Sequence, residues 1–164
     1  MLNPSHHQLI SNLIDTELNA GDQIQFNVTS NSMQPIMQIG DSIVAEVVNA
    51  SVIKPGDIIV IRRMEDFLTH RVILSTKEGW LTKGDNNAMM DPIVKTDRLI
   101  GLVKEVHKND QRIILESTRL ERVKGLLARL GELEVRASNY HRFLRFPFRI
   151  CIKSVQKFAM QGLS

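Results

Sequence analysis

The stretch "TSNSMQPIMQIGDSIV", residues 29–44, sets a serine among polar residues and follows it with Met-x-Pro and Gly-Asp. Turn chemistry accounts for Pro35, Gly40 and Asp41 but leaves Ser30, Ser32 and Met33 without a role. A serine hydroxyl attacks a carbonyl only when a base removes its proton, so Ser32 needs a histidine, lysine or amine within reach. Of the five histidines, His6 and His7 fall near the N-terminus, His107 in the turn "EVHKNDQR" and His141 in the basic tail, where each reads as a surface residue. His70 interrupts the apolar run "FLTHRVIL", which admits a polar side chain only on an exposed face or at a site. "WLTKGDNNAMMDP" adds Asp85 and Asp91, and a carboxylate that holds the Nδ1 proton of an imidazole stabilises the imidazolium. Asp85, in the "GDNN" turn, is equally readable as an Asx-turn residue. No paired His or Cys spacing accompanies these acids, so neither a metal nor another cofactor is expected.

Such a constellation requires elements that bring residues 32, 70 and 85–91 together. Residues 5–18 place Leu9, Ile10, Leu13, Ile14 and Leu18 on one helical face, ahead of "NAGD". From residue 23 the period changes to two. "QIQFNVT", "SIVAEVV", "DIIVIRR", "LTHRVILS", "GWLTK", "LIGLVKEV" and "RIILES" are short β-branched segments separated by Gly, Pro, Asn and Asp, as in a closed or strongly coiled antiparallel sheet. After Ser117 the helical period returns, with Leu120, Val123, Leu126, Leu127 and Leu130 along one side. A second, aromatic and basic segment, "NYHRFLRFPFRICIKSVQKFAMQGL", follows. The expected organisation is an N-terminal amphipathic helix (1–22), a catalytic β domain (23–117) and a basic helical tail (118–164).

Charge divides the chain in the same place. From Gln111 onward 11 Lys and Arg stand against 4 Asp and Glu, within a whole-chain net charge of +3; what precedes is mildly acidic. One cysteine, Cys151, rules out an internal disulfide framework. No apolar run approaches the ~18 residues needed to cross a bilayer, and the N-terminus lacks the basic start and small-residue cleavage site of a secretory signal. A cytoplasmic or peripherally membrane-associated protein is the expectation.

"SNSMQP" with "IGD", then "KPGDIIVIRR", "THRVI", "TKGDNNAMMD" and "LIGLVKEV" resemble, in order and spacing, the successive sequence boxes of the signal peptidase I family. The likeness is to its endoplasmic-reticulum and archaeal branch, which uses Ser-His where the main bacterial branch uses Ser-Lys, and it covers residues 23–106. The resemblance implies a mainly β fold, a coiled antiparallel β-barrel of the kind shared with LexA-like repressors, and a serine endopeptidase that cleaves a leader or signal-like peptide. Ser32 matches the nucleophile and His70 the general base. Asp91 matches the triad acid and Asp85 the neighbouring acid of the "KGD" box, Asp91 being favoured for the triad. The Ser30 hydroxyl, with the backbone N–H of Ser32, matches the oxyanion donors, while Met33 and Pro35 would shape the substrate wall. Small residues at the first and third positions before the cut are likewise implied.

Two departures qualify the resemblance. Met90 replaces the first of two acids that usually close the "GDNN" box, and no stretch of these 164 residues reads as the spanning helix that anchors the family. The tail could instead lie on an anionic membrane, cover the barrel or grip a partner protein. Nucleic acid is disfavoured because no DNA-reading motif precedes the barrel. The competing expectation is a non-enzymatic or self-cleaving regulatory module on the repressor-type peptidase fold, whose members typically use a Ser-Lys dyad.

Overall fold

The computed structural model describes residues 18–64, 66–109, 111–116, 118–140 and 145–160. The helix expected at the N-terminus lies, apart from Leu18, outside the described residues. Seven strands form one antiparallel sheet: β1 (Gln23–Asn27), β2 (Ser42–Glu46), β3 (Ile58–Arg63), β4 (Asp66–Ser75), β5 (Trp80–Lys83), β6 (Leu99–Lys108) and β7 (Gln111–Ile114). Two helices follow, α1 (Thr118–Tyr140) and α2 (Arg145–Met160). The protein is therefore mainly β with a helical C-terminal tail, and the seven β-branched segments of the sequence are its seven strands.

Strand order is β1-β2-β6-β3-β4-β5, with β7 paired to β6. The period-two pattern decides which core each residue enters, because successive side chains leave opposite faces of a strand. In β3, Ile58 and Val60 join a cluster with Met33, Met37, Ile43 and Val106. Ile59 and Ile61 turn to the other face and pack with Val72, Trp80 and Val94. Register shifts at Val44/Ala45, Val60/Ile61 and Val72/Leu74 interrupt the ladders of β2, β3 and β4; such bulges bend strands and raise their twist.

The sheet does not close into a barrel, so of the closed or strongly coiled sheet that the sequence suggested, the closed form is not the one built. Its terminal strands β1 and β5 are not paired with each other. The outer edge of β5 is satisfied by the segment after it, through Trp80 and Val94, which exchange backbone hydrogen bonds of 2.9 and 2.8 Å, and through Asp91 N–H to the Thr82 carbonyl at 2.8 Å. At the other end the seam stays open between β1 and the first half of β4. β4 pairs with β3 over residues 66–71 and with β5 only from Arg71 onward. Beneath the seam the Phe26 and Phe67 rings meet at 5.3 Å, so the side chains bridge what the backbones leave apart.

The helical tail packs against the sheet. Leu127, Ala128 and Ile152 are buried, and α1 passes so close to Gly56 that a Cβ there would stand 2.5 Å from the Lys124 carbonyl oxygen. At φ +99° that turn also needs glycine for its backbone. Lys124 Nζ fastens the same turn by an ion pair to Asp57 at 2.9 Å. Among the described residues, no helix is long and apolar enough to cross a membrane.

Candidate active site

Ser32 stands at the head of a turn that the core holds down. The chain leaves β1 at Asn27, and Val28 and Asp41 clasp the base of the loop through the Val28 N–H to Asp41 carbonyl bond of 2.9 Å. Met33, Ile36 and Met37, at 1 to 2% exposure, anchor it from below. Asp41 caps it by accepting the Gln38 N–H at 2.9 Å, and Lys108 bonds the Pro35 carbonyl at 3.0 Å. The buried methionine after the serine thus anchors the turn that carries Ser32. The Ser32 and Ser30 hydroxyls lie 3.1 Å apart.

His70 sits on β4 opposite Ile59 of β3 and is 2% exposed. Its Nδ1 is 2.5 Å from Asp91 Oδ2. Thr82 on β5 donates its hydroxyl to that same oxygen at 2.7 Å, and the Asp91 N–H to Thr82 carbonyl bond fixes the backbone. A carboxylate on Nδ1 selects the tautomer in which Nδ1 carries the proton and Nε2 presents a lone pair, as a general base requires.

Gly84 lies beside both His70 and Ser32. A Cβ there would be 2.8 Å from His70 Nε2, 2.8 Å from the Ser32 carbonyl oxygen and 2.8 Å from Asn87 Nδ2. Not even a methyl group has room there, so any residue larger than glycine would push the loop, the imidazole or the Ser32 turn aside. The loop is tied to the Ser32 turn directly: Asn86 N–H donates to the Ser32 carbonyl at 2.7 Å and Asn86 Nδ2 to the Asn31 carbonyl at 3.3 Å. His70 Nε2 has Asn87 Nδ2 at 3.5 Å. No direct hydrogen bond joins Ser32 Oγ to His70 Nε2, and the Ser32 hydroxyl is bonded to that of Ser30 instead.

The two acids separate cleanly. Asp91 touches His70, whereas Asp85 forms a bidentate pair with Arg71, at 2.9 Å to Nε and 2.7 Å to Nη2, and also accepts from Gln156. Arg71 in turn donates to the Gly56 carbonyl at 2.7 Å. His70 and Arg71 are consecutive in an extended strand and so point to opposite faces, each meeting its own acid from one loop.

Beside Ser32 and Ser30 the open seam forms a cleft of about 340 Å³, lined by Phe26, Val28, Met33, Met37, Phe67 and Leu68 among others. Met33 therefore reaches the cleft as well as the core, while Pro35 is not among the lining residues. Among the described residues no group of three or more His, Cys, Asp or Glu is arranged to hold a metal ion.

Sequence reasoning did not single out Thr82, Gly84, Asn86, Asn87 or the buried pair of Lys83 with Glu134, whose charged atoms are 2.8 Å apart. A signal existed for Arg71 and Lys83, since each is a charge inside an apolar strand. For Glu134, Arg149 and Gln156 there was none, because their roles depend on where the tail docks. No family model matches the chain, and no curated protein matches it.

Proposed function

We propose that the protein is a serine endopeptidase that cleaves a leader or signal-like peptide through an acyl-enzyme. Ser32 is the nucleophile, His70 the general base and Asp91 its orienting acid, on a coiled antiparallel core of the signal-peptidase type. The observation that carries this reading is the 2.5 Å contact of Asp91 with His70 Nδ1 on an imidazole whose Nε2 lies, with the Ser32 carbonyl oxygen, beside Gly84.

The chemistry follows from that arrangement. Nε2 accepts the Ser32 proton as Oγ bonds to the scissile carbonyl carbon, and the imidazolium so formed is held by Asp91. The oxyanion is met by the Ser30 hydroxyl and the Ser32 N–H. Collapse expels the amine, which takes its proton from His70, and a water activated by the same imidazole hydrolyses the ester. The substrate would lie extended in the cleft, between the unpaired edge of β1 and the first half of β4, adding a strand to both. Shallow apolar walls there suit small side chains near the cut.

The lysine chemistry of repressor-type self-cleaving modules would need an amine at the Ser32 hydroxyl. Lys83 is engaged by Glu134 and the Gly84 carbonyl, and Lys108 by the carbonyls of Pro35 and Ile36. This favours His70 over a lysine as base. Exposed Ile150 and Phe158 beside exposed Lys153 and Lys157 on α2 suit peripheral contact with an anionic bilayer.

A library of extended peptides incubated with the protein and read by mass spectrometry tests the activity. Cleavage after a small residue that Ser32→Ala abolishes supports it. Failure to cut any peptide, or cutting that survives Ser32→Ala, removes it. A fall in the intact mass of the protein itself would favour the self-cleaving module.

A further inference from the structure

Two side chains of α2 reach into the loop beside nucleophile and base. Arg149 Nη2 donates to the Asn86 carbonyl and, at 3.3 Å, to Asn86 Oδ1. Gln156, fully buried, donates Nε2 to Asp85 Oδ2. Each target is one bond from the site. Asn86 holds the Ser32 carbonyl by its N–H, and Asp85 holds Arg71, the residue after His70. Glu134 on α1 completes the lattice, with one oxygen on Lys83 at 2.8 Å and the other 3.4 Å from Arg149 Nε.

A cover for the sheet does not require any of this. Leucines suffice for burial, as Leu127 shows, and taking charges out of water is costly unless they are well paired. Here Glu134 and Lys83 are 0 and 1% exposed, and the tail's polar groups meet residues 83, 85 and 86, on either side of Gly84. Apolar packing lets a loop slide, whereas directional bonds to three of its residues fix where it sits.

We infer that Arg149 and Gln156 are positioning residues of the active site: docking of α2 sets the 83–87 loop, and through it the spacing of Ser32 and His70. The tail is then part of the catalytic apparatus. This inference rests on the peptidase reading above.

The test uses the full chain and the variants Arg149→Met, Arg149→Lys and Gln156→Met. It reads kcat and KM on a cleavable peptide, thermal midpoint, and amide hydrogen exchange at Asn86 and at Val60 in the core of β3. Arg149→Met is expected to lower kcat by about 30- to 100-fold with KM little changed, since small displacements of reacting groups cost that much. Asn86 should exchange roughly tenfold faster while Val60 does not change. Arg149→Lys, which keeps a cation and a donor, should recover most of the rate. Gln156→Met should show the same split and serves if Arg149→Met does not fold. Unchanged kcat and Asn86 exchange in both Met variants would overturn the inference, as would losses that follow the thermal midpoint and appear equally at Val60. If the wild-type protein cleaves no peptide, the peptidase reading fails by itself. Exchange at Asn86 then decides the coupling alone: faster exchange in the variants supports it, and unchanged exchange overturns it.

Discussion

His70 and Asp91, 21 residues apart in the chain, meet at 2.5 Å because β5 pairs with β4 and the segment after β5 folds back along its edge. Asp85 is in the same loop but binds Arg71 on the other face of β4. Changing each acid to its amide should therefore separate chemistry from stability. Asp91→Asn should lower kcat about 10³- to 10⁴-fold through a misoriented imidazole and leave the fold intact. Asp85→Asn strips a buried guanidinium of its counter-charge and should cost about 3–5 kcal/mol of stability. Urea unfolding and peptide cleavage on both variants check this. A fully active Asp91→Asn beside a folded, inactive Asp85→Asn would reverse the assignment.

Thr82→Val removes the hydroxyl that shares Asp91 Oδ2 with His70 and keeps the shape. One hydrogen bond to a charged group is worth about 1.5–3 kcal/mol. The expected outcome is a rate loss of about tenfold, read by kcat/KM, with little change in peptide specificity.

Gly84→Ala inserts a methyl where three polar atoms already stand at 2.8 Å. Either the 83–87 loop or the imidazole must give way, at a cost of about 1–3 kcal/mol in packing. Cleavage should fall far more than stability does. A variant with normal kcat would show that base and nucleophile do not approach across this residue.

Ending the chain at residue 117 removes Glu134 from Lys83 and Gln156 from Asp85, and uncovers the Gly56 turn. The truncation also strips away the buried apolar contacts of Leu127, Ala128 and Ile152, so the truncated chain should lose its cooperative thermal transition by circular dichroism. A truncated protein that melts cooperatively and cleaves peptide would mean that the tail is dispensable. Vesicle binding of the full chain should be restricted to anionic lipid and weaken with salt.

Far from the site, the Arg112 guanidinium and then His107 hold the Glu105 carboxyl down to about 2, from an ordinary 4.5. A depressed carboxyl contributes stability above its unfolded value that is lost as pH falls through the folded one. The stability gap between wild type and Glu105→Gln should thus be present above pH 4.5 and vanish toward pH 2, measured by urea melts. Arg112 is largely exposed, so salt should narrow the gap.

The strands were legible in the sequence because alternation is local: Ile58 to Ile61 report two buried faces from type and spacing alone. His70 stood out for the same reason, as a polar residue in an apolar strand. The open seam was not legible. Whether β1 reaches the first half of β4 depends on bulges at Val60/Ile61 and Val72/Leu74, which no residue type announces. The separation of Asp85 from Asp91 depends on the register of β5, and the grip of Arg149 and Gln156 on the loop depends on helix docking over more than 60 residues of chain.

The central claim is that Ser32 is made nucleophilic by His70, and active-site acylation measures it most directly. A fluorophosphonate probe followed by peptide mapping should place one adduct on Ser32 in the wild-type protein. Ser32→Ala should abolish it by removing the labelled atom, and His70→Ala should abolish it by removing the base. Labelling of Ser32 that persists at the wild-type rate in folded His70→Ala, or no labelling of Ser32 in the wild-type protein, would contradict the account.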